Sequence, residues 1–182
     1  GMGLTELGSV RGSVDLAETG LLNPNARAQP ALNADSEHIP VSRSNGILTA
    51  LSVPLTTGLV AGTSTLIRMD GWTWEDLTLR SAAALHVYWP RLSVNRDPSF
   101  PRSAGEQQKT IDENVRKIRD AFATARAYLK AKDGAGKPID SDSRWEAMIP
   151  VLKGDLPVFV HATEMTQIES AVAWAKTEKL KI

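Results

Sequence analysis

Pro157-Val158-Phe159-Val160-His161-Ala162 is an apolar run closed by a histidine. Thr163-Glu164 follows it directly and opens a stretch carrying Met165, Ile168, Val172 and Ala175. Valine and phenylalanine bounded by proline read as a short buried strand, and apolar residues three and four apart read as one face of a helix. Strand followed by helix is the unit of a parallel sheet with right-handed crossovers. In such sheets ligands and catalytic groups gather at the carboxyl ends of strands. His161 stands at that position, where a neutral imidazole can bind a divalent metal while a neighbouring group fixes its tautomer. The alternative reading of the same residue is a buried histidine hydrogen-bonded to backbone.

Outward from this strand, the clearest element is a helix over 103–132. Ser103 and Glu106 have the spacing of a capping box, in which each side chain satisfies the other's backbone N–H. Ile111, Val115, Ile118, Phe122, Ala125 and Leu129 then fall on one face, and Lys109, Glu113, Arg116, Lys117 and Asp120 on the other. Asp133-Gly134-Ala135-Gly136 ends this helix, and a loop with Pro138 follows. A second capping box, Ser143 to Glu146, opens a short helix toward Leu152 that Pro150 kinks or shortens. The helix after His161 spans about 164–178, and Lys179-Leu180-Lys181-Ile182 has the alternation that opens a strand.

The first half is less regular. Residues 1–33 form an irregular segment with a turn at Asn23-Pro24-Asn25, and 34–182 hold the β/α units of a single domain. Asp35 or Ser36 caps a short helix through Ser44, which Asn45-Gly46 stops. Residues 47–53, 65–69 and 84–89 read as strands, 55–63 as a Thr/Gly-rich loop, and Trp72 to Asp76 as an aromatic and acidic turn. Turn chemistry continues from Pro90 through Asp97-Pro98 and Phe100-Pro101. This half has more strand than helix, which leaves room for a small antiparallel element.

Composition narrows the function classes. The chain has 182 residues, 21 Lys+Arg and 21 Asp+Glu, so its formal net charge is zero. No global field draws it to nucleic acid or an anionic membrane. The absence of cysteine removes disulfides, Cys-ligated zinc and thiol catalysis. No stretch approaches the roughly 20 apolar residues of a membrane span. The glycines at 58 and 62 lack the Gly-Lys-Ser/Thr ending of a phosphate loop, and no Gly-x-Ser-x-Gly elbow occurs.

Only three histidines are present, at 38, 86 and 161. His38 lies on a short polar helix and is expected at the surface. His86 lies inside Leu85-His86-Val87-Tyr88-Trp89 and reads as a core or interface histidine, or as a substrate contact. Trp72 and Trp74 can stack on a ligand or anchor a loop. Arg68 and Lys153, at strand boundaries, can meet a substrate or remain solvated.

Several stretches together resemble the amidohydrolase superfamily, in its imidazolonepropionase-like group. The 157–162 run with Gln167-Ile168-Glu169-Ser170-Ala171-Val172 is similar to the family's fifth strand and the helix after it. Asn23 to Ala28, Asp35 to Arg43, and Gly71 to Asp76 with Leu85 to Pro90 also resemble that group. The resemblance implies a (β/α)8 TIM barrel with one or two divalent metals, zinc or similar, that activate water for attack on the C–N bond of amides or cyclic amides. Of the family's ligands it maps only His161 onto this chain. It places the chain at about strands two to five, with the family's His-x-His pair before Gly3 and its remaining ligands after Ile182.

The expectation is therefore an α/β fold: a partial (β/α)8 barrel-like fragment of mostly parallel strands with crossover helices. Catalytic zinc takes three protein ligands as a rule, so the isolated chain is expected to bind no metal tightly and to hydrolyse nothing. Its open strand edges and apolar faces are expected to pair copies of the chain into a homo-oligomer, with no nucleic-acid or membrane partner. Two other readings remain: a half-barrel that serves as a binding or assembly module without catalysis, and a hydrolase assembled between chains.

Overall fold

A computed structural model describes residues 1–97, 99–134 and 140–182. Pro98, and the loop with Gly136 and Pro138, lie outside these residues. The described elements are α1 (His38–Ser44), β1 (Thr49–Ser52), β2 (Val60–Thr63), β3 (Thr65–Arg68), α2 (Trp74–Leu77), β4 (Thr78–Arg80), β5 (Leu85–Tyr88), α3 (Ala104–Gly134), α4 (Ser143–Leu152), β6 (Val158–His161) and α5 (Met165–Glu178).

The strands form two three-stranded sheets, in the orders β1-β3-β4 and β2-β5-β6. The β1·β3, β3·β4 and β2·β5 pairs are antiparallel, and β5·β6 is parallel. This overturns the expected barrel-like set of mostly parallel strands. The reason is connection length. A parallel pair needs a crossover of a dozen or more residues, usually helical. Between β5 and β6 the chain supplies α3 and α4. Between β3 and β4 it supplies only residues 69–77, and β2 and β3 are separated by Ser64 alone. The segments joining the first five strands hold no helix longer than the four residues of α2, so they supply no helical crossover, and the strands pair antiparallel.

Residues 60–63, read from sequence as loop, are the fully buried strand β2. The chain passes at Ser64 from one sheet to the other. Ser64 is buried, donates its N–H to the Ala84 carbonyl (3.0 Å) and accepts from the Ala83 N–H (2.9 Å). Gly62 makes the passage possible. Its φ is +99°, and a Cβ there would lie 2.3 Å from the Ala26 carbonyl oxygen, because residues 22–27 run alongside β2 through bridges Leu22–Val60 and Arg27–Thr63. A Thr/Gly-rich composition hid this strand, since glycine is depleted in strands on propensity alone.

The main core lies between the β2-β5-β6 sheet and the three long helices. Leu85, Val87 and Val158 point into it, against Ile118 and Phe122 of α3, Met148 of α4 and Trp174 of α5. Phe122 meets Trp174 edge to face, with centroids 4.9 Å apart. A second core under the β1-β3-β4 sheet joins Ile67, Met69 and Leu77 to Leu4, Leu32 and Ile39. Among the described residues no helix is long and apolar enough to cross a membrane.

The helix ends follow the expected local rules only in part: α1 starts after Glu37 with no side-chain cap, where Asp35 or Ser36 was expected to supply one. Ser103 and Glu106 form the expected capping box: the Ser103 N–H donates to Glu106 Oε2 (2.9 Å), and the Glu106 N–H donates to Ser103 Oγ (3.3 Å). For α4 the cap is Asp142 rather than Ser143. Asp142 Oδ1 accepts from the Arg144 N–H (2.9 Å), and Glu146 instead accepts from Tyr128 and Lys132 of α3. Glu146 is thus engaged by a hydroxyl and an ammonium of the longer helix rather than by its own helix's N-terminus. Residues 179–182, expected to open a strand, are not a strand. Lys179 adopts a left-handed conformation at the end of α5, and the Lys181 carbonyl then accepts from the Val158 N–H of β6 (2.8 Å).

Candidate functional site

The parallel pair β5·β6 sets Leu85 opposite Val158, His86 opposite Phe159, Val87 opposite Val160 and Tyr88 opposite His161. Side chains alternate along a strand. Leu85, Val87, Val158 and Val160 therefore face the helical core, while His86, Tyr88, Phe159 and His161 share the other face. Four rings meet there. His86 Nδ1 and His161 Nε2 lie 2.8 Å apart. Tyr88 stacks on His161 with centroids 4.1 Å apart and planes 5° from parallel. Phe159 meets His86 edge to face at 5.5 Å, and the Tyr88 hydroxyl donates to the Pro54 carbonyl (3.2 Å).

The electrostatics follow from burial. His86 is fully buried, and burial, followed by the neighbouring His161 charge, lowers its pKa to about 4. Burial also lowers that of His161 and raises that of Tyr88. Both imidazoles are thus neutral near pH 7 and share one proton across the 2.8 Å contact. Whichever ring donates, His86 Nε2 stays buried without a hydrogen-bond partner among the described residues. His86 is buried, in keeping with the core histidine that its sequence context offered. It is the polar partner of His161.

The pair does not by itself make a metal site. Two imidazole nitrogens on one tetrahedral zinc stand about 3.4 Å apart, given Zn–N bonds near 2.0–2.1 Å. Here the facing nitrogens already satisfy each other at 2.8 Å. Among the described residues no three His, Cys, Asp or Glu side chains come together as metal donors. Glu164 lies just past His161, but its carboxylate is engaged by Arg91 and by Ser93 Oγ (2.9 Å), and those bonds hold its pKa below the usual carboxylate range. A metal at His161 would need the histidine pair to separate and further donors to join.

Beyond the pair, β6 is the outer strand of its sheet. A cleft of about 410 Å³ runs along it, lined by Phe159, His161, Ile168, Val172 and Ile182. The other expected contacts lie on the other sheet. Arg68 ends β3 and donates its Nε to the Asp76 carbonyl (2.6 Å). Trp74 starts α2 and is half-buried against the second core. Trp72, just before it, is 91% exposed. His38 is at the surface as expected, with Nε2 3.0 Å from the Glu6 carbonyl, and Lys153 is exposed after α4. Tyr88 was missed. Its spacing of two from His86 places it on the same strand face, the signal that could have found it.

No family model matches the sequence, and no curated protein matches it. The fold is similar to that of an amidohydrolase from Thermotoga maritima MSB8, known from a crystal structure, with a TM-score of 0.82 and 21% sequence identity. The match covers 99% of this chain and 47% of that one, so the chain spans about half the length of the similar protein. At this identity the likeness concerns the fold. It does not distinguish the imidazolonepropionase-like group from other amidohydrolases.

Proposed function

We propose that this chain is one part of a metal-dependent amidohydrolase acting on C–N bonds in amides or cyclic amides, to whose metal site it contributes His161. The observation that carries the reading is the seating of His161 at the carboxyl end of β6, with the His86 ring of the neighbouring parallel strand β5 hydrogen-bonded to it, on a fold similar to half of an amidohydrolase. Strand ends of this kind are where ligands and catalytic groups gather in parallel sheets. In this reading His86 holds the His161 ring in place and occupies its Nε2 until a metal with additional ligands replaces the hydrogen bond. The chain alone does not hydrolyse amides, because two imidazoles fall short of the three protein ligands of catalytic zinc.

Titration of the purified protein with Co²⁺ and Zn²⁺, with histidine side-chain NMR as the readout, tests this. The expected result is weak binding, with Kd on the order of 10 μM or weaker, that perturbs His161 and is lost in His161→Ala, with no amide hydrolysis. Binding unaffected by His161→Ala overturns the role of His161. One tightly held metal per chain with hydrolytic activity overturns the incomplete site and favours ligands shared between chains.

A second reading, a self-associating module without catalysis, is favoured by the outer edge of β6, where Lys181 covers the Val158 N–H but, among the described residues, no further strand pairs. Phe159, Met165, Ile168 and Ile182 are exposed apolar residues beside it, and an unpaired strand edge invites another strand. Size-exclusion chromatography with light scattering tests it: a defined oligomer supports this reading, and a monomer at all concentrations removes it.

A further inference from the structure

The other sheet carries a cleft with different chemistry. It has a volume of about 270 Å³, with Ile39, Met69 and the rim groups Asp35, Arg43, Asp70 and Trp72 in its lining. Ile39 and Met69 are buried and belong to the second core, so the floor is apolar and rigid. The volume is close to the lower end, about 300 Å³, of typical small-ligand sites.

Trp72 sets this cleft apart. Of the five tryptophans, Trp89 and Trp174 are buried and Trp74 and Trp145 half-buried, whereas Trp72 is 91% exposed. The loop that carries it is nonetheless held at several points. The Trp72 N–H donates to Asp76 Oδ2 (3.3 Å), and the Asp76 N–H donates to Thr73 Oγ1 (3.2 Å). Gly71 lies against α2 so closely that a Cβ there would approach Leu77 N at 3.0 Å. An indole on an anchored loop keeps a flat apolar face presented to solvent, the arrangement that lets an aromatic contribute contact area at low entropic loss.

The polar groups around that face narrow the ligand. Asp35 and Asp70 accept hydrogen bonds and Arg43 donates them, and the Arg43–Asp70 pair is open to water, with side chains 47% and 81% exposed. An anion would face two carboxylates, and a cation would face the guanidinium. A neutral ligand with an apolar face and many hydroxyls meets no like charge: its C–H face lies on the indole, and its hydroxyls take both donor and acceptor partners. We propose that this cleft binds a neutral sugar ring, as a monosaccharide or a residue of a short oligosaccharide, with Trp72 as the stacking platform and Asp35 and Arg43 as the polar contacts. The proposal does not depend on the amidohydrolase reading, which concerns the other sheet.

The test is ¹⁵N-indole NMR of the full chain, with the Trp72 signal assigned by its loss in Trp72→Ala. D-Glucose, N-acetyl-D-glucosamine and cellotetraose are titrated to about 50 mM, since isolated sugar contacts give Kd values on the order of millimolar. The expected result is a saturable shift of the Trp72 signal with at least one of the three. Backbone shifts of residues 35, 43 and 70 should move with it, weakened about tenfold or more in Trp72→Ala and clearly in Asp35→Asn. The exposure of Trp72 implies that the variant melts at the parent temperature, which circular dichroism checks. No shift with any of the three sugars overturns the proposal, as does undiminished binding in Trp72→Ala. A shift with choline or a proline-rich peptide but with none of the sugars also overturns it, in favour of a cation or peptide site.

Discussion

Tyr88 and His161 lie face to face because the parallel register of β5 and β6 sets them opposite each other. The same register puts His86 within hydrogen-bonding distance of His161. One strand pairing thus brings together the polar and aromatic groups of the candidate site, and slipping β6 by one residue would turn Phe159 and His161 away from His86 and Tyr88 into the helical core.

Acid should weaken the fold through His86. Its pKa falls to about 4 in the folded chain from near 6.5 when unfolded. Between those values the unfolded state binds more protons, so stability is fully present above about pH 6.5 and is lost as pH drops toward 4. The shift corresponds to about 3 kcal/mol if His86 acts alone. Urea unfolding at pH 7 and pH 5 should show the decline, and His86→Leu should flatten it. Equal midpoints for the parent at both pH values would contradict this account.

Gly62→Ala should destabilise strongly. The position combines φ +99° with a Cβ site 2.3 Å from the Ala26 carbonyl oxygen, so backbone strain adds to a steric clash. A loss of at least about 2 kcal/mol is expected. Gly46→Ala is the control: its φ is +87°, but nothing lies within 4 Å of the new Cβ, and about 1 kcal/mol is expected. Chemical denaturation of both variants separates the clash from the strain.

Phe122→Ala removes a fully buried ring from between the sheet and α5. A loss of about 3–5 kcal/mol is expected, enough to unfold a marginally stable chain at room temperature. Thermal melting followed by near-UV circular dichroism reads it through Trp174. A change below about 1 kcal/mol would mean that the core collapses around the gap.

Gln167→Ala should uncouple α5 from the site strand. Gln167 is buried; its Nε2 donates to the Trp89 carbonyl (2.9 Å), and its Oε1 accepts from the Thr163 and Glu164 N–H groups (3.0 Å each). Truncation leaves the buried Trp89 carbonyl and the partly buried Thr163 and Glu164 N–H groups without this partner, at about 1–3 kcal/mol. Hydrogen exchange at Thr163 and Glu164 should accelerate more than at α3. Unchanged protection at both would show that water replaces the side chain.

Much of the local structure was legible in the sequence. The Ser103–Glu106 box, the apolar face of α3 and the strand ending at His161 all appear where the pattern puts them, though that strand is an edge on which only Val158 is buried and Phe159 is exposed. These features depend on residues three or four apart, or on alternation within one strand, so their physics is contained in the local sequence. β2 and β4 were not legible. β2 exists because residues 22–27 and β5 lie on its two sides, and β4 because β3 offers it an edge.

By itself the chain's order of residues determined its long helices, the cap of α3 and the strand that carries His161. Tertiary structure alone decided that most strands pair antiparallel, that His86 and His161 share a proton across 75 positions of sequence, and that Trp72 stands out in solvent while four other tryptophans turn inward. The physical reason is range. Backbone propensity and side-chain periodicity act over a few residues, whereas strand partners and ring contacts depend on which distant surfaces the connecting segments are long enough to bring together.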